Sequence, residues 1–185
     1  MEVVKIFADN ETRTVFDIEK YQETGTMLVN EINALKPELV LDLGCGLNIY
    51  KDLINNIVGV DVVANERVDN VCAIEDLEYS DHCADVCLCL GSINFGNMDT
   101  VSTQIDKVVK LTKPNGRIYM RVLEETDTPG YFNWDIGKIN HFTLKHNLQF
   151  ITPPKKIYKT TTQQRNTVNR NSERLFWIWN TQVKI

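Results

Sequence analysis

The sequence predicts a single α/β domain: a mostly parallel sheet covered on both faces by helices and closed by an antiparallel hairpin. Three observations predict it. Apolar runs too short for helices recur at ELVLDL (38–43), IVGVDVV (57–63) and ADVCLCL (84–90), the pattern of strands buried on both faces. Segments of helical periodicity alternate with apolar runs, as in parallel sheets. Two late apolar runs flank a polar stretch, the pattern of a hairpin.

The elements follow in order. FDIEKYQETGTMLVNEINAL (16–35) places Ile18, Tyr21, Met27, Leu28, Ile32 and Leu35 at mostly helical spacing, and Lys36-Pro37 ends the segment. Strands are expected at 38–43, 57–63 and 84–90, the first and third stopped by Gly44 and Gly91. TVSTQIDKVVKLT (100–112) carries Val101, Ile105, Val108, Val109 and Leu111 on one stripe, and KPNG (113–116) turns the chain into RIYMRVL (117–123). NWDIGKINHFTLKHN (133–147) reads as a helix, LQFITPP (148–154) as a strand ended by its prolines, and RLFWIWNTQV (174–183) as the last strand. These divide the domain into a helical lead-in (1–37), a core (38–123) and a closing helix and hairpin (124–185).

Composition narrows the class. At 185 residues and 43% hydrophobic the chain suffices for one buried core, with no run of eighteen apolar residues and no secretory signal at the start. A cytoplasmic protein making no membrane contact is expected. Cysteines 45, 72, 83, 87 and 89 are odd in number and lie in apolar surroundings without CxxC pairs, so reduced thiols and no metal site are expected. Net charge is −5, yet residues 1–100 hold 6 Lys+Arg against 19 Asp+Glu and residues 101–185 hold 14 against 6. The basic excess gathers at 155–174, which suits either a solvated hairpin loop or contact with a phosphate-bearing partner such as nucleic acid.

The chemistry concentrates in LVLDLGCGLNIYKDLINNIVGVDVV (39–63). After a buried strand, Gly44 and Gly46 let the backbone turn tightly and approach a ligand at the carboxyl edge of the sheet. Asp61 ends the next strand about twenty residues on, where a carboxylate accepts both hydroxyls of a ribose. Dinucleotide sites want a third glycine, and here that position is Ile49. Asp42, inside the strand end, disfavours a pyrophosphate and favours a cationic ligand.

VLDLGCG followed by GVDVV resembles the first two cofactor motifs of class I S-adenosylmethionine-dependent methyltransferases, of the methyltransferase type 11 kind. The stretch 69–90 is similar to that family's acidic residue, turn and fourth strand, and LTKPNGRIYMRV to its segment leading into strand five. The resemblance spans roughly residues 16–183. It implies a Rossmann-like, doubly wound, seven-stranded sheet and S-adenosyl-L-methionine as cofactor. Asp42 would lie near the amino group of the methionine moiety, Gly44, Cys45 and Gly46 would bring backbone against the cofactor, and Asp61 with Val62 would hold the ribose. Ile74 and Glu75 would meet the adenine, and Gly91 would close the site beyond strand four. For each residue a plainer reading stands beside this one: the glycines turn the chain, Asp61 caps the next segment, and Glu75 is a solvated acid.

Methyl transfer from a sulfonium needs an acceptor in line with the methyl group, and positioning supplies most of the acceleration. No catalytic residue is singled out. The loop 91–96 is expected to orient the acceptor through Ser92, Asn94 and Phe95, and Tyr131 and Trp134 either wall that site or belong to the core. The Asn/Asp-Pro-Pro-Tyr/Phe motif of DNA base methyltransferases is not present at this loop. A methyltransferase acting on a small molecule or another modest-sized acceptor is therefore expected. A non-catalytic cofactor-binding scaffold that contacts nucleic acid through 155–174 is the alternative, and an NAD enzyme is argued against by Ile49.

Overall fold

The short apolar runs become neighbouring strands of one sheet. A computed structural model of the protein describes residues 22–124, 129–158 and 173–182. A 3-10 turn (Gln22–Thr24) leads into α1 (Thr26–Ala34), followed by β1 (Val40–Leu43), β2 (Ile57–Asp61), β3 (Asn70–Val71) and β4 (Ala84–Leu90). Then come α2 (Met98–Leu111), β5 (Thr112–Val122), α3 (Ile136–Lys145), β6 (Gln149–Tyr158) and β7 (Glu173–Asn180). The seven strands lie in the order β3-β2-β1-β4-β5-β7-β6. All pairs from β3 to β5 are parallel, and β7 runs antiparallel to both β5 and β6. The expected doubly wound sheet with its antiparallel closing hairpin is the observed one.

Strand alternation sorts the side chains between two covers. On one face Leu41, Leu43, Cys87, Cys89, Ile118, Met120, Trp177 and Trp179 pack under the apolar stripes of α2 and α3. On the other, Val40, Val86, Leu88, Tyr119, Phe176 and Ile178 pack under Leu28, Val29 and Ile32 of α1. Tyr50 and Ile54 complete that second cover from residues 45–56, which wind in turns rather than a helix. Asn48 and Asn56 sit there at positive φ (46° and 56°), which interrupts helical propagation.

Several boundaries move. The expected helix 16–35 is described only from residue 22, its earlier part lying outside the described residues. Asn97 caps α2 by accepting from the Thr100 amide, and Asp135 caps α3 by accepting from the Lys138 amide, so α2 starts earlier and α3 later than periodicity alone places them. The prolines do not end β6. It is an edge strand, and its register with β7 shifts between Thr152 and Lys155, so Pro153 and Pro154 sit where the ladder is broken and no amide is needed. KPNG bulges out of β5: one residue separates Ala84 from Val86 while four separate their partners Thr112 and Arg117. All five cysteines are free thiols, and burial pushes that of Cys87 up to about 12. No helix among the described residues is long and apolar enough to cross a membrane.

Candidate cofactor site

β1 and β4 are adjacent although β2 and β3 lie between them in sequence, so the sheet is built outward in both directions from this pair. That reversal makes a topological switch point at the carboxyl ends of the two strands, where open α/β sheets form the crevice that binds ligands. The loops that follow β1, β2 and β4 rim it.

The glycine loop turns immediately after β1. Gly44 has φ 76°, and the amides of Gly44 and Cys45 both donate to the Val60 carbonyl (2.7 and 3.0 Å), which folds the loop back over β2. A Cβ on Gly44 would lie 2.2 Å from Cβ of Ser92, so this glycine is what lets the β1 and β4 loops touch. At Gly46 (φ 56°) a Cβ would meet nothing within 4 Å, which leaves backbone open for a ligand to approach.

Asp61 plays the capping role read for it from sequence and adds a second that sequence did not show. Its Oδ2 accepts from the Gly46 amide (2.7 Å) and its Oδ1 from the Val63 amide (2.9 Å), so it caps the turn after β2 and fixes the glycine loop. Asn65 continues the stitching by donating to the Gly46 carbonyl (2.9 Å). Asn48 donates to the Arg67 carbonyl (2.7 Å), while Arg67 donates back to the Asn48 carbonyl. Gly59 makes this packing possible, because a Cβ there would lie 2.2 Å from Asn48 Nδ2 and 2.9 Å from Cys45 Sγ.

Asp42 is the unusual charge. It is 3% exposed and lies in register with Leu88, which puts its side chain on the α1 face. Its carboxyl makes no hydrogen bond or ion pair among the described residues. Burial without partners pushes it up to about 7, against the pull of the Arg121 guanidinium and with a smaller push from Asp61. Arg121, on β5 opposite Leu90, donates to the Leu90 carbonyl (2.5 Å), to Thr24 Oγ1 (2.8 Å) and to Tyr50, whose hydroxyl in turn donates to the Thr24 carbonyl (2.6 Å). One guanidinium thus ties β4, the approach to α1 and the turns after the glycine loop around Asp42.

The remaining expected residues divide. Val62 is half-buried behind Asp61, Ile74 is buried against Leu77 in the core under α2 and α3, and Glu75 is exposed, with Gln104 at 3.5 Å. Gly91 has φ 116° and Ser92 Oγ is buried with no partner among the described residues, both at the rim. Phe95 and Tyr131 bridge in antiparallel fashion with rings 4.6 Å apart, walling that end of the crevice. Asn94 is committed to backbone: it donates to the Gly91 carbonyl and accepts from the Leu123 amide, both at 2.9 Å. Trp134 is wholly buried between Phe132, Phe142 and Trp177 and donates to the Ile93 carbonyl (2.7 Å), so it supports the loop from behind instead of lining the crevice. Sequence reasoning missed Arg121, Tyr50, Gly59 and Asn48. The signal for Arg121 was a cation between Met120 and Val122, in the apolar end of the strand.

No protein-family profile and no curated protein matches the chain. Solved structures do. The Burkholderia thailandensis 1,6-didemethyltoxoflavin-N1-methyltransferase, with S-adenosylhomocysteine bound, is 15% identical with a TM-score of 0.70, covering 98% of this chain and 86% of its own. The N-methyltransferase NodS of Bradyrhizobium japonicum WM9, in complex with S-adenosylhomocysteine, is 11% identical with a TM-score of 0.63, covering 84% of each chain. The [4+2]-cyclase SpnF, 14% identical, also matches, with a TM-score of 0.64 over 99% of this chain and 94% of its own. Strand order, crevice and these likenesses agree: the chain has the fold of the class I S-adenosylmethionine-dependent methyltransferases.

Proposed function

We propose that the protein is an S-adenosylmethionine-dependent methyltransferase acting on a small molecule or another modest-sized acceptor. The observation that carries this reading is Asp42, 3% exposed and with no hydrogen-bond or ion-pair partner for its carboxyl among the described residues, at the switch point beside backbone left open by Gly46. A buried carboxylate with no partner is costly, and a cationic ligand is what relieves it. The amino-acid end of S-adenosylmethionine carries an ammonium beside a sulfonium, which suits such a group. Two of the structural neighbours were solved with S-adenosylhomocysteine, which supports the same ligand here.

When bound, that cofactor supplies an electrophilic methyl group, which an acceptor lone pair takes as the sulfur departs. The protein's own part is placement. Asp42 holds the amino group, Gly44, Cys45 and Gly46 give close backbone approach, and Asp61 accepts from the ribose hydroxyls. Val62, Ile74 and Glu75 border the adenine, and Gly91 lets the β4 loop pass close to the methionine end. Ser92, Phe95 and Tyr131 face the acceptor, while Asn94 and Trp134 hold the loop that carries them.

Formation of S-adenosylhomocysteine across an acceptor panel tests the reading. Heterocyclic and primary amines go first, since two of the neighbours are N-methyltransferases. Acceptor-dependent product that disappears in Asp61→Ala is the expected result, and tight cofactor binding with no turnover across the panel would leave a non-catalytic scaffold. The nucleic-acid version of that rival rests on 155–174, of which 159–172 lie outside the described residues. In the described part, Lys155 and Lys156 pair with Glu23 and Glu124. The NAD alternative is disfavoured because residues 45–56 are turns, which provide no helix N-terminus for a pyrophosphate.

A further inference from the structure

We propose that Asp42 keeps its proton while the crevice is empty and releases it to solvent as the ammonium of a cationic ligand arrives, with Arg121 as the positioning residue that sets the pH of this exchange. The inference rests on the proposed cofactor reading and deepens it. Its first ground is geometric: Asp42 is 3% exposed and its carboxyl accepts no hydrogen bond among the described residues, so only the through-space pull of Arg121 favours its anion and the neutral acid is the form the empty fold favours. Its second ground is the guanidinium of Arg121, which acts on Asp42 through space without forming an ion pair with it, while bonding to Leu90, Thr24 and Tyr50 among its partners.

The other groups around Asp42 give no substitute for a ligand. From β2, Asp61 repels a second anion, although its carboxylate is engaged by the amides of Gly46 and Val63. From the glycine loop, the Cys45 thiol is pushed up by burial and by Asp42 itself, and Tyr50 is pushed up by burial. From β4, the thiol of Cys89 is likewise held neutral by burial. From β5, Tyr119 gives its hydroxyl to Glu31 of α1 (2.7 Å), and that acid also pairs with Arg117. An arriving ammonium therefore meets one acid ready to exchange O–H for an ion pair. The only bond broken is the Asp42 O–H, and its proton goes to buffer.

With a midpoint of about 7, roughly nine-tenths of the protein carries the proton at pH 6 and roughly one-tenth at pH 8. Calorimetric titration of the full chain with S-adenosylhomocysteine, in pairs of buffers that differ in ionisation enthalpy, counts the protons released. Release of nearly one proton at pH 6 and nearly none at pH 8 is expected. In Asp42→Asn the release disappears. In Arg121→Gln the pH of half-maximal release moves upward, and in Arg121→Lys it stays close to that of the unaltered protein. A merely structural role for Arg121 would weaken binding without moving that pH. Binding without proton release at pH 6 would overturn the inference and leave the cofactor reading standing, whereas no binding at either pH would overturn both. Carbon-13 resonance titration of Asp42 in the ligand-free protein gives a separate check, and a midpoint in the ordinary aspartate range would refute the inference.

Discussion

Replacing Asp42 by asparagine should stabilise the empty protein, and more at pH 8 than at pH 5. The reasoning follows from the carboxyl's shift from 3.8 to about 7 on folding. A raised value means that the folded state binds the proton more tightly than the unfolded chain does. The resulting stabilisation is fully present below the unfolded value and is lost as pH rises through the folded one. A shift of about three units corresponds to about 4 kcal/mol in all, of which roughly 2.5 kcal/mol falls between pH 5 and pH 8. Asparagine has nearly the same shape and does not titrate, so the variant escapes this loss. Thermal unfolding of both proteins at the two pH values is the assay, and only their difference matters, since the other groups cancel. For a chain of this length roughly 2.5 kcal/mol is about 5–10 °C. The gap in favour of Asp42→Asn should widen by that amount at pH 8 and narrow again when S-adenosylhomocysteine is added. An equal gap at both pH values would show that Asp42 is ionised in the empty fold, and the argument from its burial would fail.

Other consequences are sharper in place than in size. Asp61→Ala removes the acceptor for the Gly46 and Val63 amides and for the ribose, so S-adenosylhomocysteine should bind about 1.5–3 kcal/mol more weakly in calorimetry. Gly59→Ala drives a Cβ into Asn48 and Cys45, and overpacking of about 1–3 kcal/mol should appear in urea unfolding together with reduced cofactor affinity, because the displaced segment is the glycine loop. Asn94→Ala strands the Leu123 amide and should destabilise by about 1–3 kcal/mol, visible as a lower urea midpoint. Asp85 moves the other way from Asp42. Burial opposes its ionisation, but Lys113 and the amides of Leu39 and Glu38 hold it below the usual range, so its contribution is present above the unfolded value and lost as pH falls through the folded one. Lys113→Met should therefore flatten the fall in stability between pH 5 and pH 3.

The fold was legible where one local signal decided the outcome. β4 matches ADVCLCL residue for residue because a parallel central strand is buried on both faces and Gly91 stops it. β6 was cut short because prolines are read as breaks, whereas an edge strand accommodates them where its register shifts. In the site, the two glycines and Asp61 stood out because their spacing is set by the chain itself. Asn94 and Trp134 did not resolve, since sequence shows that a side chain can donate and not whether its own backbone has taken the bond. Arg121 and Gly59 were hidden inside strand patterns: their roles arise from what β4 and the glycine loop bring next to them, which only the folded sheet determines.

The most direct test of the central claim is a titration of the purified protein with S-adenosylhomocysteine, run beside NADH and the Asp61→Ala variant. Saturable one-to-one binding of S-adenosylhomocysteine, weakened in the variant and not matched by NADH, is the result the account requires. No binding of S-adenosylhomocysteine, or binding of NADH in its place, would contradict it.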